Sequence, residues 1–261
     1  MDEALLRDVE DAGLNASAPP QQLWRDGWLI RRSPGKAKRA RCVNALAPGR
    51  RPLAAKLDEC QALYRDAGLP VIIRITPFSE PAGLDRDLER LGWARFDDTR
   101  VMLLPALAAA LERAGAAGRN PPPGFTAQAA DAQAFAAAVG RLRGTPAEQI
   151  AAHAQRLAAS PIRYRGQIWR AGDEVLACGQ YAREGGWVGL YDIVVAPSWR
   201  HRGLGRALCT SLLHEAADEG AASAYLQVDA GNAPARAVYR HLGFADGYAY
   251  HYRSPEPDAA R

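Results

Sequence analysis

The most constraining stretch of the sequence runs from Ile193 to Leu213. A strand-like Ile193, Val194, Val195 leads through Ala196, Pro197, Ser198 and Trp199 into Arg200, His201, Arg202, Gly203, Leu204, Gly205 and Arg206, and then into a helical pattern. The first turn of a helix carries backbone N–H groups with no partner inside the helix, and the positive end of the helix dipole lies there too. Gly203 and Gly205 remove Cβ atoms where a ligand must approach the backbone, while Arg200, Arg202 and Arg206 raise the local potential. The pattern is therefore expected to hold a diphosphate, with each charge-assisted N–H bond contributing roughly 1.5–3 kcal/mol. Two familiar phosphate loops are excluded. No Lys followed by Ser or Thr comes after the second glycine, and the third glycine of a dinucleotide fingerprint is missing.

The surroundings of this loop read as alternating α and β structure. Thr145, Pro146 and Glu148 form a helix-start signature with the threonine as cap. Three β-prone runs follow, Ile162 to Arg170, Val175 to Tyr181 and Trp187 to Val195, expected as an antiparallel meander. Leu204, Leu208, Leu212 and Ala216 form one stripe of a helix that Gly220 stops. Ala224 to Asp229 is the next strand, Asn232 caps a short helix ending at Gly243, and Phe244 to Arg253 closes in aromatic-rich strand. Upstream, Gly115, Gly118 and Pro121 to Gly124 cannot sustain helix or central strand, so a boundary is placed there.

A chain of 261 residues suits two domains of ordinary size, and 48% hydrophobic with 24% charged residues is a globular composition. Cys42, Cys60, Cys178 and Cys209 lie far apart, and the five histidines show no ligand spacing, so neither disulfides nor a metal site is expected. The start, Met1 to Glu10, is acidic and no run of about 18 apolar residues occurs, which reads as a cytoplasmic chain with no membrane segment. A formal charge of +4 and a pI near 9.0 suit a polyanion, but a cofactor carrying several phosphates satisfies that as well as nucleic acid does.

The first half contains an echo of the second. Leu91, Gly92 and Trp93 stand 151 positions before Leu242, Gly243 and Phe244, and Val71 to Ile75 falls near the equivalent of Ala224 to Val228. Position 88 is Leu where the second copy has Tyr239, and residues 49–55 lack a second glycine. If the repeat holds, only the second half carries the chemistry.

Residues 125–253 resemble the GCN5-related N-acetyltransferase superfamily. The resemblance rests on Val194, Val195, Ala196, Pro197, Arg200, Gly203, Gly205 and the Asn232 to Phe244 segment. Through the echo, and through Gly27 to Arg31 and Val43 to Leu46, the whole chain is similar to tandem members with a degenerate amino-terminal copy. What this implies is an α/β (α+β) chain of two such domains, residues 1–115 and 125–255 joined by a linker at 116–124, each a mixed and mostly antiparallel sheet flanked by helices. In the second copy, parallel strands Leu190 to Val195 and Ala224 to Asp229 would splay to admit the pantetheine arm of acetyl-CoA. Val194 and Ala196 would pair with that arm through their backbones, and the N–H of Val195 would polarise the thioester. The loop from Arg200 through His201, Arg202, Gly203, Leu204 and Gly205 to Arg206, together with Asn232, completes the expected cofactor set. Tyr239 would protonate the departing thiolate and Asp192 would be the nearest base for the attacking amine. An acyl-CoA sensor that does not turn over is the alternative to an N-acetyltransferase, and a small amine competes with a protein lysine or amino terminus as acceptor.

Arg31, Arg32, Lys36, Lys38, Arg39 and Arg41 surround a turn at Ser33, Pro34 and Gly35, a basic hairpin. Two readings stay open for it: a solvated face, or docking of an anionic substrate or RNA. Aromatic residues are not interleaved with these charges, which argues against nucleic acid. The first half is also expected to wall off the acceptor pocket. Finally, an exposed last strand, Tyr248 to Arg253, could pair with a second copy to form a homodimer.

Overall fold

A computed structural model describes residues 2–115 and 118–256. Residues 116 and 117 of the expected linker, and the tail from 257, lie outside the described residues.

The chain begins with helix α1 (Glu3–Ala16), capped by the Asp2 side chain, followed by strands β1 (Gln21–Arg25), β2 (Trp28–Arg32) and β3 (Val43–Ala45). Next come α2 (Leu53–Asp66), β4 (Ile73–Ile75), α3 (Leu84–Arg90), β5 (Ala94–Leu104) and α4 (Leu107–Ala114). The second half runs β6 (Thr126–Ala130), α5 (Ala132–Arg143), α6 (Ala147–Ala158), β7 (Tyr164–Ala171), β8 (Glu174–Glu184) and β9 (Trp187–Val195). It closes with α7 (Leu204–Asp218), β10 (Ser223–Asp229), α8 (Ala233–His241) and β11 (Ala245–Ser254). No helix among the described residues is long and apolar enough to cross a membrane.

The meander, the loop helix and the closing strand fall where the residue pattern places them. Two local expectations change. Thr145 does not cap α6: Pro146 holds the cap position and no side chain bonds the helix start. Helix α5, unannounced by an apolar stripe of large residues, is set by its ends, with Asp131 accepting from the Ala134 amide at 2.8 Å and Gly144 in a left-handed C-cap.

All the strands join one sheet in the order β1-β2-β3-β4-β11-β5-β10-β9-β8-β7-β6. The expectation of a separate sheet for each half is thereby corrected. Each half builds one parallel pair, β3 with β4 and β9 with β10, and beside each parallel pair lies the last strand of the other half. β5 pairs with β10 from Ala224 opposite Leu104 to Asp229 opposite Thr99, while β11 pairs with β4 from His251 opposite Ile75 to Arg253 opposite Ile73. The two long strands then pair antiparallel with each other. Tyr248 to Arg253 is therefore interior to the sheet, and dimerisation through it is corrected; the edges are β1 and β6.

Packing follows the same crossing. One core cluster sets Met102, Leu104 and Leu107 of the first half against Leu208, Leu212 and Phe244 of the second. Another joins Val9, Cys42, Val101 and Leu103 to Tyr191, Tyr225 and Tyr248. Within it the Arg74 guanidinium of β4 grips the Glu10 carboxylate of α1, and the Tyr248 hydroxyl of β11 donates to that carboxylate at 2.6 Å. Burial opposes ionisation of Glu10, but the Arg74 charge and these bonds outweigh it and hold the carboxyl below its ordinary range. A buried charge is tolerated only when paired this completely.

Candidate active site

The parallel pairing of β9 with β10 begins at Trp187 opposite Ser223 and stops at Leu190 opposite Leu226. Beyond that point β10 continues with β5 to Asp229, and β9 continues with β8 to Val195, so the two strands part. A bulge helps: the register of β8 against β9 shifts between Cys178 and Gln180, and Asp192 adopts a left-handed φ of 51°. The splay expected from the sequence is present.

Backbone direction along β9 then decides what the gap offers. The Ala196 amide donates to the Leu176 carbonyl at 2.8 Å, and Ala196 and Val194 lie on the same alternate positions of the antiparallel ladder. Groups of a hydrogen-bonded pair point at the neighbouring strand, and those of the residue between point away. By this alternation the amides of Val194 and Ala196 point at β8, while the Ala196 carbonyl accepts from the Trp199 amide at 2.9 Å. Val195, between them, turns its N–H toward the gap by the same alternation, which sets Val195 rather than Val194 or Ala196 as the residue whose amide is free for a ligand there. Its carbonyl takes the Arg200 Nε at 3.3 Å.

The loop has the expected shape. Gly203 caps α7 with φ of 78° and no side chain closes the cap. Within the described structure, the first intrahelical bond here is from the Ala207 amide to the Gly203 carbonyl, and none is made by the amides from His201 to Arg206. A Cβ built on Gly205 would meet only Val195 Cγ2, at 3.6 Å. That is ordinary contact, so the fold itself does not require glycine there. Leu204 contributes its amide alone, since its side chain is buried in the core. Arg202 lies 4.8 Å from the Trp199 ring centroid, and Arg206 Nη1 lies 3.1 Å from His241 Nε2. Arg202, Gly203, Arg206 and His241 line a cavity of about 660 Å³ that also reaches Arg113 of α4.

A second cavity of about 490 Å³ collects the candidate chemistry on the other side of the splay. It is lined by Asp192 and Ile193 of β9, Gln227 to Asp229 of β10, and Asn232 and Tyr239 of α8. The first half supplies a wall through Ser17, Ser33, Lys36, Lys38, Arg39 and Asp97. Asn232 caps α8, its Oδ1 accepting from the Ala235 amide at 3.2 Å. Tyr239 is half-buried, packs edge-on against Phe244 at 6.2 Å, and its hydroxyl bonds to no protein group among the described residues. Burial pushes this phenol well above its ordinary range, so it keeps its proton at neutral pH.

Asp192 is placed differently from the expectation. Its Oδ1 takes Arg143 Nη1 at 2.7 Å, and its Oδ2 takes Gln180 Nε2 at 2.8 Å with His153 Nε2 at 3.3 Å. Burial would raise this carboxyl, but the His153 bond and the Arg143 and Arg156 charges win and hold it far below the carboxylate range. Such an anion has no appetite for a proton from an ammonium. Asp192 as general base is corrected: it anchors Arg143 and His153 in the wall of the cavity. Those two residues were missed in the sequence because nothing local marks α5 and α6 as site-forming.

The basic hairpin is a solvated face only in part, with Lys36 exposed. Arg31 and Arg41 are buried, and Arg39 turns into the cavity that holds Tyr239.

Residues 134–244 match the model of the acetyltransferase (GNAT) family. A curated relative, ribosomal protein bS18-alanine N-acetyltransferase of Escherichia coli strain K12, is 46% identical over 55 residues. That match covers 21% of this chain, and the chain spans 37% of the relative's length. Among solved structures, a GCN5-related N-acetyltransferase from Kribbella flavida is similar over 100% of this chain and 98% of its own, with a TM-score of 0.64 at 15% identity. A tandem GNAT protein from the clavulanic acid biosynthesis pathway covers 81% of this chain and 73% of its own, with a TM-score of 0.59 at 16% identity. At such identities the structural likeness speaks for the fold. The stretch that matches the GNAT acetyltransferase family model, residues 134–244, is the one that carries the splayed strands and the glycine-flanked helix start.

Proposed function

We propose that the chain is an acyl-CoA-dependent N-acetyltransferase that moves an acetyl group from acetyl-CoA to a primary amine by direct attack. The observation that carries this reading is Gly205: a helix start with unspent amides, at a position that the protein's own packing leaves free for a side chain but that carries none. A diphosphate oxygen brought against the amides from His201 to Arg206 fits that opening, and Arg202 and Arg206 add charge.

In this reading the pantetheine arm follows the gap between β9 and β10, and the Val195 N–H donates to the thioester carbonyl as its oxygen gains charge. The neutral amine nitrogen bonds to the carbonyl carbon, the C–S bond breaks, the thiolate takes the Tyr239 proton, and the proton shed by the new amide nitrogen passes to water, from which the tyrosinate is returned to the phenol. A half-buried phenol that stays protonated at neutral pH suits that last step. The first half is read as a degenerate copy of the same fold: position 88 is Leu where Tyr239 stands, and the turn before α2 has no paired glycines. Its contribution is β5, which closes the sheet beside β10, and the wall of the acceptor cavity.

The test is calorimetric titration of acetyl-CoA, followed by thiol release across a library of amines. Micromolar binding with release for a subset of amines is the expected outcome. Binding with no release from any amine would replace the enzyme by an acyl-CoA sensor, and no binding would remove the reading.

A further inference from the structure

The cavity that holds Tyr239 contains the guanidinium of Arg39, which has no carboxylate paired with it among the described residues. Arg39 lies in a short 3-10 turn, Lys38–Ala40, within the β2–β3 hairpin. Its Nη1 donates to the Tyr250 hydroxyl at 3.1 Å, and that hydroxyl donates on to Gln227 Oε1 at 2.9 Å. The guanidinium carbon stands 5.9 Å from the Tyr191 ring centroid, and Nε is buried without a partner. No carboxylate pairs with Arg39 among the described residues, whereas Lys38 and Arg143, which line the same cavity, each have one. Lys38 pairs with Asp97 at 2.8 Å and Arg143 with Asp192 at 2.7 Å. The remaining carboxylate of the lining, Asp229, accepts the Gly231 amide at 2.8 Å. Placing a guanidinium away from bulk water without a counter-charge is costly, and the molecule keeps it held in place by Tyr250.

The planar fork of arginine matches a carboxylate or a phosphate through two parallel bonds. The helix-start loop lines the other cavity and shares no lining residue with this one, so a diphosphate seated there would not also satisfy Arg39. An acceptor that carries an anion beside its amine would give the Arg39 fork the partner that the protein does not supply, while its ammonium could face the Asp229 carboxylate of the same lining. We propose that the acceptor is an amine that also carries a carboxylate or phosphate group, and that Arg39, supplied by the amino-terminal half, binds that anion and sets acceptor specificity. This rests on the acyltransfer reading above and adds the substrate class to it. It also favours a small anionic amine over the blocked, uncharged surroundings of a protein amino terminus.

The experiment uses the full chain and matched probes: β-alanine against propylamine, O-phosphoethanolamine against ethanolamine, and an alanyl peptide amide for a protein terminus. Thiol release from acetyl-CoA is expected to show kcat/KM at least tenfold higher for the anionic member of a pair. Arg39→Gln should erase at least tenfold of that preference with acetyl-CoA affinity unchanged, and Arg39→Lys, which keeps the charge without the fork, should retain part of it. Thermal melts of both variants separate a binding loss from misfolding. Equal or better turnover of the neutral members or of the peptide amide, or a preference that survives Arg39→Gln, overturns the proposal. Should acetyl-CoA itself not bind, the acyltransfer reading falls separately. The Arg39 claim is then decided by calorimetry of the same probes without acetyl-CoA: tighter binding of the anionic members, lost in Arg39→Gln, supports it, and no binding of any anionic probe overturns it.

Discussion

Gly205→Ala should move stability and cofactor affinity in opposite directions. Gly205 is the second residue of α7, and a Cβ there meets only Val195 Cγ2 at 3.6 Å, so the methyl fits without strain. Replacing glycine by alanine in a helix gains about 0.5–1 kcal/mol in an interior turn, and about 0.5 kcal/mol is a fair figure for a first turn. For a chain of this size that corresponds to a rise in Tm of about 1–2 °C. A diphosphate held by these amides would sit about 2.9 Å from the nitrogens, in the space the methyl enters. Losing one charge-assisted bond of roughly 1.5–3 kcal/mol weakens binding about tenfold to a hundredfold. Calorimetry with acetyl-CoA reads the second quantity and differential scanning calorimetry the first. Gly203→Ala is the contrast: at a φ of 78° any other residue is strained by about 1–2 kcal/mol, so its melting temperature falls. A Gly205→Ala protein that melts higher and binds acetyl-CoA with unaltered Kd would refute the phosphate-cradle argument.

Other outcomes follow from the same geometry. Tyr239→Phe should cut turnover at least tenfold while leaving the acetyl-CoA Kd unchanged; because burial raises this phenol, its ionisation removes no activity below about pH 10, and the two proteins should share the shape of their profiles from pH 6 to 9. Asp192→Asn leaves Arg143 and Arg156 without their carboxylate and should destabilise the fold by on the order of 1–3 kcal/mol, discounted because the Arg143 side chain is 37% exposed. The folded carboxyl is depressed, so its contribution is whole above about pH 4 and vanishes as pH falls below that, and acid melts of the variant should lack this component. Residues 119–261 alone would expose the β10 and β11 edges that β5 covers and lose the Met102 and Leu104 packing; they are expected to show no cooperative melt, and co-expression with residues 1–118 should restore one.

The parts of this protein that were legible in its sequence are those fixed by local backbone chemistry. The glycine-flanked helix start, the Asn232 cap, the meander and the stripe of α7 each depend on residues within a turn or two of one another, and a linear reading sees them directly. Tyr239 as an acid and the splay of β9 from β10 both came with the family resemblance; the splay is present in the fold, and Tyr239 lines the cavity beside it. What only the tertiary structure decided involves partners far apart in the chain. The insertion of β5 beside β10 and of β11 beside β4 rests on pairings across more than a hundred residues, which no periodicity records. The same holds for Asp192, whose acidity is set by Arg143 and His153 arriving from α5 and α6, and for Arg39, which a charge pattern marks as a solvated face until the hairpin folds it against Tyr250. Which way a strand's amides point was the finest of these decisions. It turned Val194 and Ala196 toward β8 and left Val195 to the gap, because alternation along a ladder is counted from a bond the sequence does not contain.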